Sequence, residues 1–347
     1  GDDRTLIALN RQAIAFGHDA VVDYQIDPNF FDPVGKVNGA ASAHAHARNE
    51  SYASHLRQLG ETCEILDPQQ MKEMTGSRHY RSGLYTPGTV MLQPAGYVRG
   101  LADGLSRSGI AIHENSLVSG FERAGASWRI DTPQGRVTAA RVILTVNGHL
   151  ESFGFSRGHL MHVFLYASMT PELDAEALKR LGGVARWGIT PADPMGTTLR
   201  RIDTGQGGNR ILTRTCATLR PVMRPSQRGL RRASAVMKTK FDTRFPQLAG
   251  IKMQYQWSGH LCLSRNHVAV MKEIDDGVFS GCVQNGLGTT RGTLTGIGAA
   301  ELACGVTSDI TRYFTTEPAP SRLPPVPLQA IGGNAVLRWR EWRARAE

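Results

Sequence analysis

Long apolar runs are missing from the 347 residues: none approaches the roughly 18 consecutive apolar positions that a membrane-spanning helix requires. The opening Gly1-Asp2-Asp3-Arg4 offers neither the basic segment nor the apolar stretch of a secretory signal, so a cytoplasmic location is expected. Cysteine is scarce. Cys63, Cys216, Cys262, Cys282 and Cys304 are odd in number and never spaced C-x-x-C, which excludes a disulfide framework and a zinc ribbon and predicts reduced, mostly buried thiols. No P-loop, H-E-x-x-H or recognisable Ser-His-Asp order occurs, leaving kinase and hydrolase readings without support. His44 and His46 lie two apart on a predicted helix, where side chains diverge, and no third ligand accompanies them; no metal is expected.

What is present is the composition of a folded globular chain, 41% hydrophobic and 20% charged, with length for about two domains. Lys and Arg number 40 against 30 Asp and Glu, a net charge of +10. The excess is concentrated in residues 197–252, with 13 basic and 2 acidic side chains. A nucleic-acid surface would interleave aromatics for stacking, and this window holds only Phe241 and Phe245. No nucleic-acid partner is expected. A solvated helix face at 228–244 beside a basic surface that steers an anionic substrate accounts for the charge.

Periodicity predicts helices at 6–22, 43–59, 95–108, 172–181 and 294–306, and strands at 110–113, 163–169, 197–202 and 209–213. Three close β runs within 118–138 read as a meander, and 141–145 as a buried parallel strand. Residues 318–327 are Pro-rich and tail-like, and 336–346 form a basic amphipathic segment carrying Trp339 and Trp342. The sharpest signal is the strand 277–282 followed by Asn285-Gly286-Leu287-Gly288-Thr289-Thr290-Arg291-Gly292 and a helix. Glycines let a ligand approach the main chain, and a helix N-terminus offers unpaired N–H groups with partial positive charge, so an electron-rich group belongs there. As a phosphate fingerprint it is incomplete: Arg291 stands where a third glycine should be.

The order of these parts resembles the FAD-dependent oxidoreductases of the D-amino-acid oxidase family, in the branch of glycine oxidase, monomeric sarcosine oxidase and the gamma-glutamylputrescine oxidoreductases. The stretches that carry the resemblance are 80–87 with 97–102, 112–118, 142–148, Trp257-Ser258-Gly259-His260 and 278–300. It implies a mixed α/β (α+β) two-domain flavoprotein fold: an FAD-binding domain from 1–25, 86–150 and 277–310, a substrate domain from 26–85 and 151–276, and a C-terminal tail at 311–347. It implies FAD as cofactor and oxidation of the C–N bond of an amine or amino-acid derivative, by hydride transfer to flavin N5 and hydrolysis of the imine. Main-chain N–H groups of Gly286, Leu287, Gly288, Thr289 and Thr290 would face the flavin's pyrimidine end, where two-electron reduction leaves negative charge. Val118 would hold the adenine edge, and Thr145, Val146, Asn147 and Gly148 would close over the pyrophosphate side.

On the substrate side, relatives often place an arginine in the stretch that here reads Ser258-Gly259-His260, so His260 becomes the candidate catalytic and substrate-binding group, with a hydrogen-bonded structural histidine as its other reading. Phe164 and Tyr166 alternate on a predicted strand and either wall the flavin or pack in the core. Cys262, near where some relatives tether flavin, is read as an ordinary buried thiol. Family members begin with a strand, a G-x-G-x-x-G turn and a helix, none of which precedes Leu6, so the chain is expected to lack the N-terminal dinucleotide-binding segment. Its expected partners are a small amine or amino-acid-like molecule, an electron acceptor of unknown identity and, through the basic C-terminal segment, a membrane surface. Two alternatives stay open: a non-catalytic fragment unable to hold FAD, and a basic-surface binding protein.

Overall fold

A computed structural model describes residues 3–347; Gly1 and Asp2 of the first expected domain segment lie outside the described residues. The chain opens with α1 (Asp3–Asp23), β1 (Phe31–Asp32), β2 (Lys36–Ala40), α2 (Ala43–Gln58), β3 (Glu64–Leu66), α3 (Pro68–Thr75) and β4 (Ser82–Thr86). Then follow β5 (Met91–Leu92), α4 (Pro94–Arg107), the meander β6 (Gly120–Ala124), β7 (Ser127–Thr132) and β8 (Gly135–Ala139), β9 (Val142–Leu144), and a 3-10 segment over Asn147–Phe153. The central part comprises β10 (Leu160–Met169), α5 (Ala175–Leu181), β11 (Trp187–Pro191), β12 (Thr198–Ile202), β13 (Arg210–Leu219), α6 (Gln227–Arg244) and β14 (Tyr255–Ser264). Last come β15 (Val270–Asp275), β16 (Val278–Cys282), α7 (Gly288–Ala303), α8 (Asp309–Thr315) and α9 (Val326–Arg343).

Local chemistry sets several boundaries. Pro68 occupies the first turn of α3, Asp67 and Gln70 close a capping box around it, and Gly76 ends it in the left-handed region. Ser42, Asp174 and Ser226 cap α2, α5 and α6 through their side chains. An eight-stranded sheet in the order β14-β10-β13-β12-β11-β2-β4-β3 dominates the molecule. One of its faces carries Val37, Ile189, Leu199 and Ile211 into a core with Phe241 and Phe245. A second sheet, β15-β16-β9, pairs β16 with β9 in parallel and shares a core with Trp128 of the meander. Every residue of β16 is buried, as befits a strand between neighbours and beneath α7. The fold is therefore a mixed α/β architecture of several sheets, with the two main ones meeting where β14 crosses the 3-10 segment.

Two expectations need correction. Residues 110–113 are not a strand: Ile110 and Ile112 are exposed, and the segment pairs with no other among the described residues, so nothing sustains a ladder. α7 begins at Gly288, six residues earlier than its apolar periodicity indicates. Arg291 in its first turn is buried, ion-paired to Glu317 at 2.7 Å and stacked over Phe314, and this tertiary anchoring overrides the low helix propensity of the glycines. β15 pairs with β16 and so extends the second sheet.

The C-terminal helix is integrated into the fold. β12 pairs with β13 only over residues 210–214, leaving the backbone of 215–219 without a strand on that side. α9 supplies the partners: Asn334 accepts from Leu219 N and donates to its carbonyl, Glu341 accepts from Ala217 N, and Arg338 donates to the Ala217 carbonyl. Trp339 and Trp342 remain on the exposed side, under Arg343 and Arg345 respectively. Among the described residues no helix is long and apolar enough to cross a membrane.

Candidate active site

The glycine corner is built by backbone conformations that few residues adopt. Asn285 has φ 53° and Gly286 φ 77°, and Gly288 enters α7 at φ 62°. Asparagine tolerates that region, and its side chain locks the turn: Asn285 Oδ1 accepts from Ser264 N at 2.7 Å and its Nδ2 donates to the Val268 carbonyl at 2.7 Å. Leu287 at the N-cap offers no side-chain acceptor, so the first-turn amides of α7 keep their hydrogen-bonding capacity and the positive end of the helix is uncompensated. Gly286, Leu287, Gly288 and Thr289 are exposed, and a side chain at Gly288 would meet open space.

The corner opens on a cavity of about 510 Å³, with Leu287, Thr289 and Thr290 on one wall, Ala13 and Gly17 of α1 on another, and Lys36 and Arg200 on a third. Lys36 and Arg200 project from the face of the eight-stranded sheet opposite its apolar core, since Val37 and Leu199 between them point into that core. Arg214 shares this face, being paired with Thr198 and donating to its hydroxyl at 2.7 Å. Burial lowers all three from their ordinary values, and among the described residues no carboxylate lies within ion-pair distance of any of them.

The expected site residues fall into two groups. Thr145 is exposed, and Val146 and Asn147 half-buried, at the C-terminal end of β9, with the Asn147 side-chain oxygen buried and unpartnered; Val118 is partly exposed just before β6. Thr145, Val146 and Asn147 lie where the parallel strand β9 ends, the usual ligand edge of such a sheet. Phe164 and Tyr166, by contrast, are buried with Cys216, Ala233 and Met237 against α6, on the other face of the sheet from Lys36 and Arg200. Cys262 is fully buried, its thiol pushed up to about 12 by burial and by Glu151 and Cys282.

His260 pairs across with Phe164 and shares its face. It lies 3.1 Å from His162 Nδ1 through Nε2, and His162 Nε2 is 2.8 Å from Glu151 Oε2. Because the carboxylate accepts from Nε2–H, the His162 Nδ1 is left to accept from His260. Burial, His162 and His149 lower the His260 pKa. For Glu151, burial raises the pKa, but the hydrogen bonds it accepts from His162 and Gly158 N outweigh it, with a net lowering. Gly148 makes this packing feasible, since a Cβ there would lie 2.8 Å from the His260 ring. His260 is thus held in a Glu151–His162–His260 chain, while the neighbouring Leu261 and Leu263 face Gly286.

Sequence reasoning missed Lys36, Arg200 and Arg214. A signal existed in the alternation of Thr198, Leu199, Arg200 and Arg201 on β12, but Arg200 and Arg214 were counted in one surface patch. The patch is not a single surface: Arg201 and Arg244 are buried, and Arg232 is ion-paired to Glu341. The exposed, uncapped turn fits the electron-rich pyrimidine end of a flavin. Leu287, Gly288, Thr289 and Thr290 would hold that end, with Thr145 to Gly148 alongside.

The family model described as DAO, FAD dependent oxidoreductase, matches residues 2–302. A probable oxidoreductase OrdL of Rhizobium meliloti (strain 1021) is 22% identical over 304 residues, covering 86% of this chain and 66% of that protein, so the chain spans just under two thirds of that relative. Glycine oxidase from Geobacillus kaustophilus superposes with a TM-score of 0.72 at 16% identity, over 91% of this chain and 83% of that one. Iminodiacetate oxidase from Chelativorans sp. BNC1 gives 0.69 at 14% identity, over 93% and 85%.

Proposed function

The chain belongs to the DAO family of FAD-dependent oxidoreductases, and from that premise we propose that it oxidises the C–N bond of a small amine or amino-acid derivative. FAD, when bound, would supply a two-electron acceptor for the hydride of the C–H next to nitrogen, and the imine so left would be hydrolysed by water to a carbonyl compound and an amine or ammonia. The chain's own contribution begins at the corner, where the amides of Leu287 to Thr290 and the N-terminus of α7 offer fixed donors to developing negative charge. Asn285 keeps that turn from relaxing, and Arg291 with Glu317 fixes the helix behind it. Lys36 and Arg200 line the opposite wall and would hold the substrate's acid group. His260 we assign to positioning, through its contact with Gly148 on the cofactor edge. On sheet membership we further propose a cofactor domain around β9, β16 and α7 and a substrate domain around the eight-stranded sheet.

The observation that carries this reading is the exposed, uncapped first turn of α7 sharing one cavity with cations that have no carboxylate partner. Names of the fold's neighbours, glycine oxidase and iminodiacetate oxidase, support the amine class. The test is anaerobic mixing of the FAD-loaded protein with a panel of amines, amino acids and N-alkyl amino acids. Bleaching of the oxidised flavin band with an amine is the expected result. Bleaching by hydroxy acids alone, or by no member of the panel, overturns it.

A further inference from the structure

Strand register fixes where the three cations stand. Val37 pairs with Ile189 in parallel and Gly188 pairs with Arg200. Lys36 and Arg200 therefore flank Gly188 from two strands apart, roughly 10 Å between backbones. Thr198 pairs with Arg214 and Arg200 with Leu212, which sets the two arginines on a diagonal of about 7–8 Å. Their hydrogen bonds go to neutral groups, Arg200 to the Leu92 carbonyl and Arg214 to the Thr198 hydroxyl. The fold does neutralise cations elsewhere: Arg186, just before β11, is clamped between Asp32 at 3.1 Å and Asp203 at 2.7 Å. Among the described residues no such carboxylate lies within ion-pair distance of Lys36, Arg200 or Arg214.

A single substrate carboxylate would leave two desolvated cations uncompensated. Resting on the amine-oxidation reading above, we propose that the substrate is a dicarboxylate, with two separated acid groups flanking the amine. One is held by Lys36 and Arg200 in the cavity, and the other is drawn along the same face of the sheet to Arg214, which stands outside the cavity's lining. Planar guanidinium forks match carboxylates in pairs of hydrogen bonds. The spread of the cations suits two separated carboxylates better than one compact phosphate. The same positive wall disfavours the ammonium form of a bound amine, leaving the nitrogen lone pair that hydride loss requires.

The test uses ligands that differ only in acid groups. Diglycolate has two carboxylates and an ether in place of the amine, methoxyacetate has one carboxylate, and inorganic phosphate is compact. In calorimetric titration of the protein saturated with FAD, diglycolate is expected to bind at least about tenfold more tightly than either of the others. Raised ionic strength should weaken it, and Arg200→Gln, Arg214→Gln and Lys36→Met should each erode the preference. Should an arginine variant fail to fold, Lys36→Met, which removes a charge without leaving a polar group unpaired, carries the comparison. Equal binding of the three ligands, tighter binding of phosphate, or a preference unchanged in the variants overturns the proposal. Diglycolate has no C–N bond, so its preference stands or falls apart from amine oxidation. Conversely, flavin reduction by sarcosine as efficient as by iminodiacetate sinks the dicarboxylate while leaving amine oxidation intact.

Discussion

Lys36 is mostly removed from water, has no carboxylate partner, and has its pKa lowered by that burial. A charge in this position destabilises the fold, so Lys36→Met is expected to raise stability by about 1 kcal/mol while weakening ligand binding, the usual trade at a functional site. Urea midpoints of the two proteins check it; a lower midpoint in the variant shows that Lys36 supports the fold instead. Gly148 is the opposite case. Its replacement by alanine puts a methyl 2.8 Å from the His260 ring and 2.9 Å from His162 Nδ1. Because β10 and β14 cannot easily part, Gly148→Ala should cost about 1–3 kcal/mol, read from the same midpoints. His79 supplies a pH dependence. Burial, then the charge of Arg244, lowers it from 6.5 to about 4. Between those values the unfolded chain binds the extra proton and the native one does not. Its contribution is therefore complete above pH 6.5 and declines as pH falls toward 4, and His79→Gln should flatten the stability profile in that window. At this scale the sequence showed the glycines of the corner plainly, because positive φ selects glycine and asparagine. It hid the cations, because alternation tells which residues of one strand share a face but not which other strand lies beside it.

Elements were legible where a pattern is local and obscure where a partner is distant. α2 and α4 could be read to within a residue or two from their periodicity, and β16 from its place just ahead of the glycine turn. The false strand at 110–113 has the same β-branched character but lacks a neighbour. α9 shows both sides of this. Its amphipathic character is plain in the sequence, whereas its target, the unpaired backbone of 215–219, exists only because β12 stops short. Exposed strand edges recruit other chains, and here three polar side chains spaced along one helix fill the role of a neighbouring strand. Glu341 is the hinge of that arrangement, since it also binds Arg232 and Arg338. Glu341→Ala leaves Ala217 N and two guanidiniums without their acceptor, and a loss of about 2 kcal/mol is expected. Faster hydrogen exchange confined to residues 215–219 would identify the edge as the cause. A uniform change across the eight-stranded sheet would instead point to general destabilisation.

For the molecule as a whole, the two sheets have separate cores, and the cavity is the place where both present chemistry to one ligand. Thr289 and Thr290 belong to the unit around β16, and Lys36 and Arg200 to the eight-stranded sheet. A ligand that touches only the corner stabilises the first unit; one that spans the cavity ties both together. FAD at a hundredfold excess over its Kd should add about 2.7 kcal/mol to whatever unfolds with its site. Tryptophans separate the two possibilities. Trp128 is buried in the core shared by the meander and the second sheet, and Trp187 in the core of the eight-stranded sheet. With Trp187→Phe and Trp128→Phe as complementary single-core reporters, FAD alone is expected to move chiefly the Trp128 transition. FAD together with diglycolate should move both, because the dianion draws Lys36 and Arg200 onto the ligand. If the Trp187 transition stays in place with both ligands bound, the cations do not engage the ligand, and the two sheets are independent around this cavity.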